Sequence, residues 1–418
     1  MGYTENLIDF IGKSTDCYHA VKIAKDRLDE NGFTELFEGD KWDIQSGGKY
    51  YVIRNSSSII AFEMPKKDFG AFMICASHTD SPSFKLKPDF EINADGCIKL
   101  SVEGYGGMIM SSWLDRTLSI SGRIVTAKDG KIETKLVNID RDLLVIPSLA
   151  IHMSRDINKG YEFNIRRDMC PIASEKNGRI EDIIAENVGV DKEEILGFDL
   201  SLYNRMRGTV LGTDGEYFSA PRIDDLQCMY STLEGFLNSE SDDNVTVFAA
   251  FDNEEVGSGT KQGAKSSFLR DVLERICNNS ETYKRAVAKS FMLSCDNAHA
   301  VHPNFADKSD GTNRVYMNGG IVIKYNANQR YTTDAVSEAV VKYVCKNAGV
   351  PYQMYANRSD IPGGSTLGNL SNEKVSLNTA DIGLAQLAMH SSYETAGSRD
   401  TEYMVKMIKE FYKTEIVL

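Results

Sequence analysis

The stretch Val245–Phe251 is apolar apart from Thr246, and it opens abruptly onto Asp252-Asn-Glu254-Glu255. A strand so uniformly apolar is buried on both faces, and such strands belong to parallel sheets covered by helices. Residues that follow such a strand lie in the crevice beyond its carboxyl end, where open α/β folds bind their ligands. Adjacent side chains on extended backbone point to opposite sides, so Glu254 and Glu255 share one site only if the chain bends there. Gly257 and Gly259 permit that bend. Taken alone, the glutamate pair equally describes a solvated surface.

The pattern recurs. The apolar run at 69–77 delivers His78-Thr-Asp80, the run at 290–295 ends in Asp296, and the strand-like segment 319–325 projects Lys324 from apolar surroundings. Asp224 and Asp225 stand at the start of helical spacing that continues through Phe236, a place where an acid is ordinarily an N-cap. A His-x-Asp after a strand is either a packed loop histidine or a metal ligand whose ring the carboxylate orients. Carboxylates mixed with imidazole and lacking thiolate favour zinc, manganese or cobalt. Closed structural zinc sites are Cys-rich and local in sequence. Ligands scattered over most of the chain fit a catalytic site assembled on a finished fold.

A chain of 418 residues exceeds one ordinary core and suggests two or three domains. Helical spacing at 5–31 marks a helix pair, with His19 packed or capping, and alternation at 50–62 marks strands around a polar turn. Between 95 and 219 the texture changes: glycines cluster at Gly104, Gly106 and Gly107, short strand patterns appear, and Asp129-Gly130 signals a hairpin. This reads as an inserted β-rich domain with a helix at 180–196. Its apolar run Ile146-Pro-Ser-Leu-Ala-Ile-His152 makes His152 by default a buried structural histidine. Near the chain's end, 358–366 form a tight glycine turn around Pro362.

The formal charge of −13 excludes a general nucleic-acid or anionic-membrane binder, for no basic excess exists to displace counterions. No apolar stretch reaches the length of a bilayer span, and the first residues lack the basic and apolar regions of a secretion signal. The eight cysteines form no Cys-x-x-Cys pair and several sit in apolar runs, as free thiols in a reducing cytoplasm do. A cytoplasmic location is therefore expected.

Six motifs, in order over nearly the whole chain, carry a family resemblance: Ser77-His-Thr-Asp-Ser-Pro82, Ala220-Pro-Arg-Ile-Asp-Asp-Leu226, Asp252-Asn-Glu-Glu-Val-Gly-Ser258, Asp296-Asn-Ala-His-Ala-Val-His-Pro-Asn304, Ile323-Lys-Tyr-Asn-Ala-Asn-Gln-Arg-Tyr331 and Leu387-Ala-Met-His-Ser391. Together they resemble the aspartyl aminopeptidases of metallopeptidase clan MH. The resemblance implies a doubly wound mixed α/β sheet covered by helices, built from residues 1–94 and 220–418. A β-rich dimerisation domain, residues 95–219, would interrupt it, and dimers would build a dodecamer. It implies two divalent ions, zinc foremost, with manganese or cobalt as alternatives. Asp224 would bridge them, His78 and Asp296 would complete one coordination sphere, and Glu255 and His390 the other. Asp80 would orient His78, and Glu254 would be the general base.

By the same resemblance, His152 would donate to the developing oxyanion, reaching a neighbouring subunit's site, and Lys324 with Tyr331 would receive an acidic side chain at the N-terminus of a peptide. A competing arrangement makes His78, His152 and His390 a three-histidine zinc site. His299 and His302 are expected to order the loop after Asp296 or line the rim. Departures from the family pattern are Asp225, where Asn is commoner, and the Pro362-Gly-Gly-Ser365 turn. The rival activities are an aminopeptidase of broader specificity, a related deacylase or carboxypeptidase, and a non-catalytic shell or cargo protein on the same fold.

Overall fold

The computed structural model describes residues 2–416 other than 176, 177, 240, 242, 278 and 362. Pro362 of the glycine turn thus lies outside the described residues. Nine strands form one mixed sheet in the order Thr34–Glu35, Lys49–Arg54, Ser58–Glu63, Val245–Phe251, Phe72–His78, Phe291–Cys295, Asn378–Gly383, Ile321–Tyr325 and Tyr352–Ala356. At its centre Val245–Phe251 runs parallel to Phe72–His78, with Phe251 opposite His78. Phe291–Cys295 runs parallel on the other side of Phe72–His78. The carboxyl ends that lead to His78, to Glu254 and Glu255, and to Asp296 therefore open on one edge.

The central strand shows why its sequence is apolar throughout. Phe248 and Ala250 join the core formed with helices Tyr3–Lys13, Cys17–Glu30, Ile223–Leu237, Ala335–Ala348 and Asp400–Lys413. Val245, Val247, Ala249 and Phe251 join the opposite core, under Phe268–Ile276 and Ser280–Lys289. The sheet is doubly wound, as expected. Each fully buried Phe on this strand contributes roughly 1.5–3 kcal/mol by area removed from water, so neither face tolerates a polar residue. Asp16 caps the second helix by accepting from Tyr18 N and His19 N, and the His19 ring pairs with Asp16 Oδ2 at 2.8 Å, a capping role.

A second, antiparallel sheet has the order Lys131–Asn138, Leu118–Lys128, Ile195–Asn204, Ser83–Ala94, Cys97–Tyr105 and Ile172–Glu175, over its own core of Phe84, Trp113, Ile120 and Leu200. Asp129 and Gly130 both have positive φ at its hairpin turn, the backbone a two-residue type I′ turn requires. The expected helix at 180–196 stops at Val188, where Gly189 takes a left-handed φ of 68°; Ile195 already starts a strand. Because Ser83–Ala94 pairs within this second sheet, we propose that the inserted unit runs from about residue 83 to 204 rather than from 95 to 219.

A third sheet, in the order Thr209–Leu211, Tyr217–Ala220, Glu394–Gly397, Ala385–Leu387 and Ala298–His299, joins the return from the insert to the C-terminal segment. It sets Ala220 opposite Glu394, and so brings Asp224 and His390 within reach of each other. Among the described residues no helix is long and apolar enough to cross a membrane.

Candidate metal centre

His78 is the last residue of its strand and is 1% exposed. Its Nδ1 lies 3.0 Å from Asp80 O and 3.5 Å from Asp80 Oδ1, which leaves Nε2 to face inward. Nε2 stands 3.4 Å from Asp224 Oδ1 and 4.0 Å from Asp296 Oδ1. On the other side of Asp224, Oδ2 is 3.5 Å from His390 Nε2, which is itself 3.3 Å from Glu255 Oε2. Asp224 thus stands between two groups: His78 with Asp296, and Glu255 with His390. Asp225 faces the first group and accepts the His78 backbone N–H at 3.1 Å.

The local backbone explains how these side chains meet. Ile223–Leu237 is not helical at Asp224 and Asp225, so the acids are not simple caps; they turn back toward the sheet edge. Asn253 (φ 65°), Gly257 (φ 92°) and Ser258 (φ 57°) make the bend after the central strand. Gly257 plays its expected part, whereas Gly259 has no positive φ and the first turn falls to Asn253, a residue tolerant of that region. Asp80 then accepts the backbone N–H groups of Glu254 and Glu255 at 3.1 and 3.2 Å. His390, also at positive φ, donates its backbone N–H to Glu394 Oε1 at 2.7 Å, and Glu394 Oε2 takes the N–H of Asp224 at 3.0 Å.

Crowding of buried carboxylates dominates the electrostatics. Burial, together with the charges of Asp296, Asp80 and Asp224, pushes Glu254 up to about 8 against the opposing pull of His78. Burial and Asp224 raise Glu255 well above the usual carboxylate range. Burial resists charge on Asp224 too, but the nearby His390 and His78 rings outweigh it and hold the acid low. On His78, burial is outweighed by Asp225, Asp224 and Asp80, which raise it well above free imidazole.

These residues fit divalent cations. Asp224 Oδ1, Asp225 Oδ1 and Glu255 Oε1 are buried acceptors without a hydrogen-bond partner, a state that costs about 1–3 kcal/mol per group unless something positive meets it. Two donors on one tetrahedral ion at roughly 2.1 Å would stand about 3.4 Å apart, and the observed spacings within both groups are 3.3 to 4.0 Å. The donor set contains oxygen and imidazole nitrogen only, which suits zinc, manganese or cobalt.

One cavity holds His78, Asp224, Glu254, Glu255, Asp296, Lys324, Tyr331 and His390, together with His299 and Ser365. Lys324 is 2% exposed; its Nζ donates to Asn297 O at 2.8 Å and lies 3.5 Å from Asp296 Oδ2 and 5.6 Å from the Tyr331 ring centroid. His152 is the exception. It sits in an exposed turn with Leu149, Ile151 and Met153, neither buried as its apolar surroundings suggest nor among the cavity's residues. Within one chain the three-histidine site is not formed. His302 is not among the cavity's residues; in the loop after Asp296 its Nδ1 accepts the Asn304 N–H at 3.1 Å.

Several residues that hold the site were not singled out in sequence. Asp381 accepts from Thr332 N, Thr332 Oγ1 and Thr366 Oγ1, fixing the loops that carry Tyr331 and Ser365. Tyr105 touches Asp80, and Glu394 touches the His390 backbone. Glu394 lies three residues beyond the His390 motif, and Tyr105 was legible only as the residue before a glycine pair.

The profile of the family described as "Aminopeptidase I zinc metalloprotease (M18)" matches residues 10–412. The "Probable M18 family aminopeptidase 2" of Clostridium acetobutylicum is 45% identical, over 98% of each chain, and that of Pseudomonas aeruginosa strain UCBPP-PA14 is 38% identical over 98% of this chain and 97% of its own. Among solved structures, the chain in the cryo-EM structure of the Ape4 and Nbr1 complex superposes with a TM-score of 0.95 at 35% identity, covering 98% of this chain and 85% of that one. A subunit of the S. cerevesiae mApe1 dodecamer superposes at 0.86 with 29% identity, covering 98% and 96%.

Proposed function

The chain belongs to the M18 family of aminopeptidases, and from that premise we propose that it is a two-metal enzyme, zinc its foremost metal, that removes unblocked N-terminal residues from peptides, acidic ones by preference. The observation that carries this reading is the pair of ligand groups on either side of Asp224, with Glu254 in the same cavity, its carboxylate near His78 and Glu255. Asp224 would be shared between two ions, His78 and Asp296 would hold one, and Glu255 and His390 the other. When bound, such ions supply the charge that polarises a scissile carbonyl and acidifies an attacking water.

The chain's own residues do the rest. Glu254 accepts the water's proton and delivers it to the leaving amine, work for which a carboxylate raised toward neutrality is suited. Asp80 fixes the His78 ring through Nδ1 and, through the two backbone N–H groups, fixes the turn that separates base from ligand. A buried Lys324 beside Tyr331 supports recognition of a substrate carboxylate. Two of its donors already face Asn297 O and Asp296, so Lys324 also steadies a ligand.

His152 would serve a neighbouring subunit, donating to the oxyanion there. Its exposure beside Leu149, Ile151 and Met153 supports an intersubunit position. By likeness to the mApe1 dodecamer we propose the same assembly, with the inserted unit making the dimer contact. The eight cysteines are all free, which supports the expected cytoplasmic location.

The test uses the purified, zinc-supplied protein on matched tripeptides beginning with Glu, Asp or Leu, each with a free or an acetylated N-terminus. Cleavage confined to free peptides and lost on chelation is expected. Acetylated peptides cleaved as fast as free ones would replace the aminopeptidase reading with a deacylase or endopeptidase one. Equal rates on Glu and Leu peptides would leave a broad-specificity aminopeptidase.

A further inference from the structure

We propose that Tyr105, which comes from the inserted unit, is a positioning residue of the metal centre, its hydroxyl holding Asp80 and the Asn253 turn in one register. The inference rests on the metal-centre reading above. Tyr105 is the last residue of the strand Cys97–Tyr105, and its Oη donates to Asp80 Oδ2 at 2.6 Å while accepting from Asn253 Nδ2 at 2.9 Å. Asp80 is the carboxylate that faces His78 Nδ1 and receives the backbone N–H groups of Glu254 and Glu255. One hydroxyl therefore touches both supports of the site: the acid behind a histidine ligand, and the turn carrying base and second ligand.

The direction of every proton in this chain is fixed. The backbone N–H groups of Glu254 and Glu255 can only donate, so Asp80 is an acceptor throughout. The single proton of Tyr105 is then committed to Asp80, and its lone pairs take the Asn253 amide. Asn253 Oδ1 in turn accepts from Thr260 Oγ1 and Gln262 Nε2, both at 2.8 Å, which fixes that amide's orientation. Removing the Tyr105 hydroxyl from this network leaves the buried Asn253 amide without its acceptor and takes one of two donors from Asp80 Oδ2, which keeps the Glu255 N–H.

The segment after Tyr105 makes the same connection elsewhere. A Cβ on Gly106 would sit 3.1 Å from Glu255 Cβ, so the backbone passes directly over that ligand. Ile109 N donates to His390 O at 3.0 Å, and Ser112 accepts two hydrogen bonds from Ser392. The inserted unit thus bears on the Asp80, Glu255 and His390 segments at once. It is part of the site's scaffold as well as a separate sheet.

The test is Tyr105→Phe, which keeps the ring and deletes only the hydroxyl, with Asn253→Ala as a second break in the same chain. Zinc affinity of the chelator-stripped protein is read by competition with a chromophoric chelator, beside kcat and KM on a free tripeptide at saturating zinc and the melting temperature of the metal-free protein. Loss of the partner behind a ligating histidine lowers metal affinity or activity tenfold to a hundredfold. We expect a drop in zinc affinity of that size, a kcat lowered at least tenfold, and a KM within twofold of wild type. In the double variant, Asn253→Ala should add little to the affinity loss of Tyr105→Phe.

Affinity and kcat within twofold of wild type in Tyr105→Phe would overturn the assignment while leaving the metal centre standing. So would an unchanged affinity with a lowered metal-free melting temperature, which marks a purely structural tyrosine. Wild-type protein that takes up no zinc would overturn both.

Discussion

Replacing Lys324 with Met separates two roles that its position combines. The ammonium lies 3.5 Å from Asp296 Oδ2, a proposed ligand, and shares a cavity with Tyr331, where a substrate side chain would enter. Two unit charges about 4 Å apart attract by about 4 kcal/mol at an effective dielectric of about 20. Desolvation opposes this, and the net worth of a hydrogen bond to a charged group is about 1.5–3 kcal/mol; about 2 kcal/mol is about thirtyfold in kcat/KM. Loss of the brace on Asp296 acts through the metal and lowers kcat/KM for every substrate alike. The informative quantity is therefore the ratio of kcat/KM for a Glu-peptide to that for a Leu-peptide of the same length, measured at saturating zinc. Lys324→Met should lower this ratio about thirtyfold, whatever the common decrease. Equal losses on both peptides would refute the specificity role and leave Lys324 as a support for Asp296 alone.

Glu254→Gln should lower kcat by roughly a hundredfold to ten-thousandfold, the range of a positioned general base, with zinc content unchanged by elemental analysis; Glu255→Gln should lose zinc as well, and equal zinc content in both variants would contradict the division of labour between the two glutamates. Asp400 supplies a pH dependence away from the site. Burial raises it to about 7 although it accepts the N–H groups of Asn318 and Gly320. Its folded-state pKa lies above the unfolded value of 3.8, so its contribution to stability is complete below that value and is lost as pH rises through 7. The loss amounts to about 4 kcal/mol between pH 4 and pH 8 by linkage. In urea melts, the midpoint difference between wild type and Asp400→Asn should swing in favour of the variant over that interval; a difference independent of pH would show that Asp400 is already ionised at pH 4 in the fold.

What the sequence disclosed depended on whether the physics was local. The central strand's burial on both faces was readable because Val245 to Phe251 has no polar side to offer water, and the acids at strand ends were conspicuous against that background. The division between Glu254 and Glu255 needed the family resemblance, because it depends on a bend begun at Asn253 that an alternation pattern does not reveal. The start proposed for the inserted unit differs from the expected one for a similar reason: Ser83–Ala94 alternates as any half-buried strand does, and only its partners assign it to the second sheet. Tyr105, Asp381 and Glu394 act through residues far away in sequence, and a side chain that holds another leaves no periodicity. The apolar run around His152 suggested burial, yet in the single chain Ile146 is buried while Leu149, Ile151 and Met153 are exposed.

The proposed ligands begin at His78 and end at His390, more than three hundred residues later, and the sheet edge that gathers them is complete only when Asn378–Gly383 and Glu394–Gly397 have joined their partners. A growing polypeptide leaving the ribosome therefore carries scattered acids and imidazoles but no working cutter. Closure of the proposed site waits for the docking of strands three hundred or more residues downstream of its first member.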